Sequence, residues 1–328
     1  MKRYFIVGVT GFLGSALARH LRSRGRSVGG LAPASARGEA LAREGVDFRP
    51  GDVRDPAVLK NAMAGHDVVV NLAGAYRREG RPLRDFFDIN VTGAENVMAA
   101  AVAVGAKRVI HVSTTGVYGR LVEIPATEEH PYDFTNHYQK TKIEGEVKAR
   151  DAFAGPLKGR GVVIRPAGVY GPGDRKFVKL MRAIQRGYGF YVGPCTAQFH
   201  PTYVDDFLDG MELALESPRA AGEIYNIVGG EYLTVQEFIE TVARVLGRPP
   251  PRIRVPMAPM KVAAHVCERV CRLLRIEPPI YPRRLGFFDL DRAYSHAKAS
   301  RELGYAPKVG LDEGLRRAAA WYRQSGML

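Results

Sequence analysis

Three cysteines in a chain of 328 residues set the first limits. Cys195, Cys267 and Cys271 are too few for a disulfide framework, so the fold must stand on its core, and a reducing, cytoplasmic setting is expected. Cys267 and Cys271 lie four apart and would share a helix face, with His265 near, but no zinc-type set surrounds them and no metal is expected. There is no apolar run of about 18 residues, hence no candidate membrane span. Repeats and low-complexity linkers are also missing. The net charge is +14, from 48 Lys+Arg against 34 Asp+Glu, yet the cations are scattered among acids. The basic runs and interleaved aromatics of a nucleic-acid surface are missing, and no nucleic-acid partner is expected. An acidic ligand, or a genome rich in arginine codons, accounts for the charge equally well.

What is present is ample apolar content, 46%, enough for one large domain or two intimate ones. The chain opens with a strand pattern, Tyr4-Phe5-Ile6-Val7, running into Gly8-Val9-Thr10-Gly11-Phe12-Leu13-Gly14 and then a helical stretch from Ser15 to Leu21. Three evenly spaced glycines between a strand and a helix allow a tight turn, close approach to a phosphate, and close helix–sheet packing. The helix N-terminus supplies free N–H groups and partial positive charge for a pyrophosphate. Lys2-Arg3 before an apolar run, with Ala16-Leu17-Ala18 after it, also resembles a secretory signal, but glycines at fixed spacing fit a turn better than an apolar helix.

The second strand, Ser27 to Leu31, ends in Ala32-Pro33. Dinucleotide folds often place an acid there, about 20 residues after the glycines, to hold the ribose 2′-hydroxyl of NAD. Neither acid nor arginine stands there. Arg37, slightly further on, can reach a 2′-phosphate or be a solvated loop residue, which gives a slight lean to NADP over NAD. A third strand, Val46 to Pro50, ends in Gly51-Asp52-Val53, and a fourth, Val68 to Leu72, ends in Ala73-Gly74.

Strand and helix patterns alternate from residue 3 to about 165, with strands at Val109–Val112 and Gly161–Arg165. This predicts an α/β fold: a Rossmann-type, doubly wound parallel sheet. After Gly171-Pro172-Gly173 the pattern loosens, and helices are expected near 176–186, 234–246 and 258–275. The expected division is a dinucleotide-binding domain over 1–168, with 201–228 returning to it. Residues 169–200 and 229–328 then form a smaller, mostly helical substrate-binding lobe over the strand ends.

Tyr138 and Lys142 are i and i+4, hence on one helix face. A lysine ammonium beside a tyrosine lowers the phenol's pKa from about 10, and the tyrosine can then act as acid or base for an alcohol–ketone pair. A Tyr/Lys pair at this spacing is also ordinary helix surface. Ser113-Thr114-Thr115 at a strand end adds hydroxyls where ligands are met.

At these residues a family resemblance emerges. The chain resembles an extended short-chain dehydrogenase/reductase, the group containing the NAD-dependent epimerase/dehydratase family and the 3-beta-hydroxysteroid dehydrogenase-like enzymes. Matching stretches are VTGFLG (9–14), GDVRD (51–55), NLAG (71–74), INVTGAENV (89–97), VSTTGVYG (112–119), YQKTK (138–142), RPAGVYGPGD (165–174), HPTYVDD (200–206), YNIVGG (225–230) and ELGYAP (302–307). The resemblance implies that Tyr138 is the general acid/base, Lys142 tunes it and holds the nicotinamide ribose, and Thr114 hydrogen-bonds the reacting oxygen. It implies a dinucleotide held by Gly8, Gly11, Phe12, Leu13, Gly14, Asp52, Val53, Ala73, Gly74 and Pro166. It also implies a homodimer in which the helix after INVTG and the Tyr-x-x-x-Lys helix pair across a two-fold axis.

Departures narrow the choice. Dehydratases of the family follow the Thr with Asp-Glu; here Thr115-Gly116 stand there. Gly168 replaces an Asn, and Phe199 replaces an Arg, that nucleotide-sugar enzymes use on the diphosphate. These changes remove donors and add apolar surface, which suits an uncharged or apolar substrate. Thr115, Gly168 and Phe199 are therefore candidate substrate contacts, with Arg284 as a phosphate ligand if the substrate is a nucleotide sugar. The 263–305 stretch resembles the 3-beta-hydroxysteroid dehydrogenase-like branch. Val262, Val266, Val270 and Leu273 form an apolar stripe near Lys261, Arg269, Arg272 and Arg275. Such a helix can touch a membrane surface, lid an apolar pocket, or pack on its own core. Two enzymatic readings stand, an NAD(P)-dependent alcohol/ketone oxidoreductase with an apolar or carbocyclic substrate and a nucleotide-sugar epimerase with retained NAD. A non-catalytic dinucleotide sensor is a third, opposed by the intact Thr114, Tyr138 and Lys142.

Overall fold

Short apolar runs bounded by glycine and proline become parallel strands here, and the stretches between them become helices. The structure, a computed structural model, describes residues 2–76, 82–274, 276 and 282–328, without the side chains of Arg272 and residues 282–284. The strands β1 (Arg3–Val7), β2 (Ser27–Ala32), β3 (Asp47–Pro50), β4 (Val68–Asn71), β5 (Arg108–Val112) and β6 (Gly161–Pro166) alternate with helices α1 (Phe12–Ser23), α2 (Ala36–Arg43), α3 (Pro56–Met63), α4 (Leu83–Phe87), α5 (Gly93–Ala103) and α6 (His137–Ala154). A seventh strand, Ile224–Ile227, adds to the edge beside β6, so that the order runs edge strand, β6, β5, β4, β1, β2, β3, all parallel.

The period of two sorts each strand between two cores. Tyr4 and Ile6 of β1 face one side with Leu17 and Ala18 of α1. Phe5 and Val7 face the other, with Leu59 of α3, Val97 of α5 and Ala149 of α6. Helices thus cover both faces, as continuous burial of strands such as β4 requires. The order reverses between β1 and β4, which opens a crevice at their carboxyl ends.

The chain beyond β6 divides its work. The helix Val204–Glu216 packs Phe207 and Met211 into the core shared with β1, and the C-terminal helix Leu311–Gln324 adds Leu315 and Tyr322 to it. Among the described residues the rest of this stretch adds the helices Val178–Gln185, Val235–Val245, Met257–Leu273, Pro282–Asp289 and Ala297–Leu303, and three two-residue strand pairs. One of these pairs joins Gln198–Phe199 to Leu233–Thr234. Two-residue strands leave no alternation to read, which is why the sequence suggests only helices there.

Candidate active site

The glycine turn is built as its sequence requires. Gly8 has a φ of +85°, and a Cβ there would lie 2.8 Å from the Ala73 nitrogen, so β1 and β4 meet closely at the crevice. A Cβ on Gly14 would collide with the Gly8 carbonyl oxygen, whereas one on Gly11 would meet only that oxygen, at 3.2 Å, and otherwise open space. Gly11 caps α1 with no side chain to spend on its first N–H groups, which leaves them for an anion. Phe12 and Leu13 begin α1 half-buried against the core. These features fit a dinucleotide pyrophosphate.

The remaining cofactor candidates cluster around this turn. The Arg37 Nη1 donates to the Thr10 carbonyl at 3.0 Å, so α2 reaches over the glycine loop. Ser35 caps α2 by accepting from the Gly38 N–H. The Asp52 carboxylate takes a bidentate pair from Arg54, which holds it below the usual carboxylate range. Val53 is buried, and its carbonyl accepts from Asn96 at 3.2 Å. Ala73 is fixed by its N–H donating to the Asn71 side chain at 3.1 Å. A Cβ on Gly74 would come no closer than 3.5 Å to Asn90.

Asn136 caps α6 by accepting from the Gln139 N–H, which sets Tyr138 in the first turn and Lys142 one turn on. Tyr138 is half-buried, its ring edge-on to Tyr76 at 5.3 Å. Lys142 is buried, and its Nζ donates to the Val112 carbonyl at the end of β5, 3.0 Å away. Burial pushes its ammonium down to about 8, against the opposing pull of Glu146. Thr114 caps the turn Thr115–Tyr118, its oxygen accepting from the Gly116 N–H at 3.0 Å. That bond occupies the hydroxyl as acceptor and leaves its proton to donate. A Cβ on Gly116 would lie 3.7 Å from Gln139, so this turn leans on the first turn of α6 beside Tyr138. The Ser113 hydroxyl is buried with no partner among the described residues, as expected where a ligand or water completes the bonding.

The substrate candidates separate. Thr115 is buried and donates to the Pro166 carbonyl at 3.3 Å, which braces the end of β6. Gly168 and Phe199 touch: a Cβ on Gly168 would lie 3.2 Å from the Phe199 ring. Phe199 is itself buried and packs edge-on to Phe177, Phe238 and Phe287. The side chain of Arg284, in the helix Pro282–Asp289, lies outside the described residues.

Several residues essential to this arrangement were not singled out by sequence reasoning. Asn90 sits in a π-helical turn, Asp88–Thr92, a bulge often found at functional sites. Its side chain accepts from Ala75 N–H at 2.7 Å and donates to Thr141 at 2.9 Å, which ties the crevice loop to α6 beside Lys142. Gly145 makes this possible, since a Cβ there would collide with the Asn90 carbonyl. Behind Lys142, the Asn71 amide faces the His111 Nδ1 at 3.3 Å. The Asn71 oxygen already accepts from Ala73, so the amide donates and His111 carries its proton on Nε2. Burial, reinforced by Lys142, keeps His111 neutral well below the ordinary histidine range. Arg165 and Glu146 are both buried and pair at 2.5 Å, with Tyr118 and Tyr132 completing the guanidinium's bonds. An open cleft of about 630 Å³ near Glu128, Arg150, Glu223 and Lys298 includes none of Thr114, Tyr138 and Lys142.

A dinucleotide turn, a switch-point crevice and a Thr/Tyr/Lys set define a short-chain dehydrogenase/reductase architecture. The model of the NAD dependent epimerase/dehydratase family matches residues 4–228, and the chain belongs to that family. It is similar to a 2-alkyl-3-oxoalkanoate reductase of Stenotrophomonas maltophilia, 33% identical over 97% of this chain and 98% of the relative. A 3beta-hydroxysteroid-dehydrogenase/decarboxylase of Arabidopsis thaliana is 31% identical over 85% of this chain and 52% of the relative. Among solved structures, a dTDP-glucose 4,6-dehydratase from Streptomyces venezuelae with NAD bound superposes with a TM-score of 0.79 at 26% identity, covering 98% of this chain and 97% of that one. The protein is an NAD(P)-dependent oxidoreductase/epimerase of the short-chain dehydrogenase/reductase superfamily.

Proposed function

We propose that the protein interconverts an alcohol and a ketone on an apolar or carbocyclic, hydroxysteroid-like substrate, with a slight preference for NADP(H). The observation that carries this reading is the contact between Phe199 and Gly168, which sets an aromatic ring at the two positions where, by the family resemblance, nucleotide-sugar enzymes carry donors for the diphosphate. A nicotinamide cofactor, when held there, would supply or accept the hydride. Tyr138 gives its phenolic proton to the carbonyl oxygen in reduction, the Thr114 hydroxyl donates to and orients that oxygen, and Lys142 stabilises the tyrosinate. The names of the reductase and the hydroxysteroid dehydrogenase above support this, since both refer to a ketone or alcohol on a largely hydrocarbon molecule. Arg37 over the glycine loop, with no acid at Ala32-Pro33, supports NADP.

The second reading, a nucleotide-sugar epimerase with retained NAD, is favoured by the likeness to the NAD-bound dTDP-glucose enzyme and by the net charge of +14. Calorimetry on cofactor-saturated protein separates the two. Each lost charge-assisted bond costs about 1.5–3 kcal/mol, so UDP, GDP and dTDP should bind weakly, while hydrophobic ketones should bind and raise the melting temperature. Micromolar affinity for a nucleoside diphosphate outside the dinucleotide site would promote the epimerase.

A further inference from the structure

The helix Met257–Leu273 is apolar on two opposite faces. One face packs inward: Met260, Ala264 and Cys271 are buried, the first two against Val192 and Leu285. The other face is the stripe seen in the sequence, and it points into solvent. Val262 is 64% exposed, Val266 56%, Val270 49% and Leu273 85%, and the ridge continues through exposed Leu274 and Ile276. A single exposed valine is ordinary; six large apolar side chains along one ridge are not. The helix is too short and too charged to cross a bilayer, and among the described residues no helix is long and apolar enough to do so.

Its charges indicate what covers the ridge. Lys261 and Arg269 are exposed along the helix, Lys261 resting on Asp289, while the helix's one acid, Glu268, is half-buried. Arg272 and Arg275 follow in the sequence, at the end that carries Leu273, Leu274 and Ile276. A second copy brought to this ridge would set the same local basic residues against one another. An anionic surface complements them instead, since polybasic segments beside apolar side chains bind acidic lipid headgroups. We propose that the ridge Val262–Val266–Val270–Leu273 docks the protein flat on an anionic bilayer surface. The ridge side chains enter the headgroup boundary, and Arg269 and its neighbours meet lipid phosphates. This holds whatever substrate the crevice takes.

The test is co-sedimentation of the full chain with vesicles of neutral phosphatidylcholine and of phosphatidylcholine mixed with phosphatidylglycerol. Wild type should bind the anionic vesicles, and roughly tenfold less to neutral vesicles or at high salt. The double variant Val266→Glu/Val270→Glu should lose roughly tenfold or more of that binding while keeping its circular dichroism spectrum and cofactor affinity. Lys60→Glu, a charge reversal on the exposed side of α3, should bind like wild type. Failure of wild type to bind anionic vesicles overturns the proposal. So does equal weakening by Lys60→Glu, which would reduce the binding to net charge. Self-association of wild type that the double variant abolishes would assign the ridge to a second copy instead.

Discussion

Lys142 shows how one residue meets two requirements. In the proposed mechanism it must carry charge to hold a tyrosinate, yet it is buried under the end of β5 with its Nζ on the Val112 carbonyl. Burial brings its pKa down to about 8, so it is an ammonium at neutral pH and loses its proton within an accessible range. Since kcat/KM reports groups of the free enzyme, reductive kcat/KM should fall as pH rises through about 8, where Lys142 is half deprotonated. Lys142→Met should lower activity and remove that limb from the pH profile; a limb that persists in this variant would assign it to another group. Tyr138 and Lys142 share a helix face and Thr114 stands near a strand end, but these patterns alone are ordinary, and it is the resemblance to the family that singles the three out as a set. Asn90, Asn71, His111, Glu146 and Arg165 are not singled out. Their meaning depends on partners 15 to 51 residues away along the chain, and a lone buried polar residue has no local pattern.

At the scale of elements, β1, the glycine turn, α1 and the start of α2 act as one unit. Gly8 and Gly14 close the turn sterically, and Arg37 fastens α2 over it through the Thr10 carbonyl. The glycine spacing and flanking elements make this unit legible, whereas the cofactor's 2′ group is not, because it depends on where one long exposed side chain reaches. Fluorescence titration should show NADPH binding at least as tightly as NADH. Arg37→Ala should weaken NADPH by roughly tenfold, one lost charge-assisted contact, and leave NADH nearly unchanged. A clear NADH preference that Arg37→Ala does not alter would contradict the NADP reading. Gly14→Ala, which forces a Cβ onto the Gly8 carbonyl, should weaken both cofactors together.

For the whole molecule, the sheet is readable in the sequence and the chain beyond β6 less so. Four- to six-residue apolar strands separated by helices announce a parallel sheet, but the later stretch rests on two-residue strands and an aromatic cluster of Phe177, Phe199, Phe238 and Phe287 assembled from distant segments. The ridge on Met257–Leu273 is readable as a stripe, but not which way it faces. We propose a homodimer through α5 and α6. Their outer faces carry Ala99, Val102 and Val147, with Lys148 and Glu95 bonded between the two helices at 3.2 Å, and a two-fold axis there would cover both valines. Light scattering should give twice the chain mass, and Val102→Glu/Val147→Glu should give the monomer; a monomeric wild type at micromolar concentration would count against the pairing. The most direct test of the account as a whole is turnover of the Tyr138→Phe variant on a hydrophobic ketone. Loss of an acid–base group costs roughly 100-fold or more, so the variant should oxidise reduced cofactor at least that much more slowly than wild type while binding the cofactor with unchanged affinity. Equal turnover in the two proteins would remove Tyr138 from the mechanism and contradict the account.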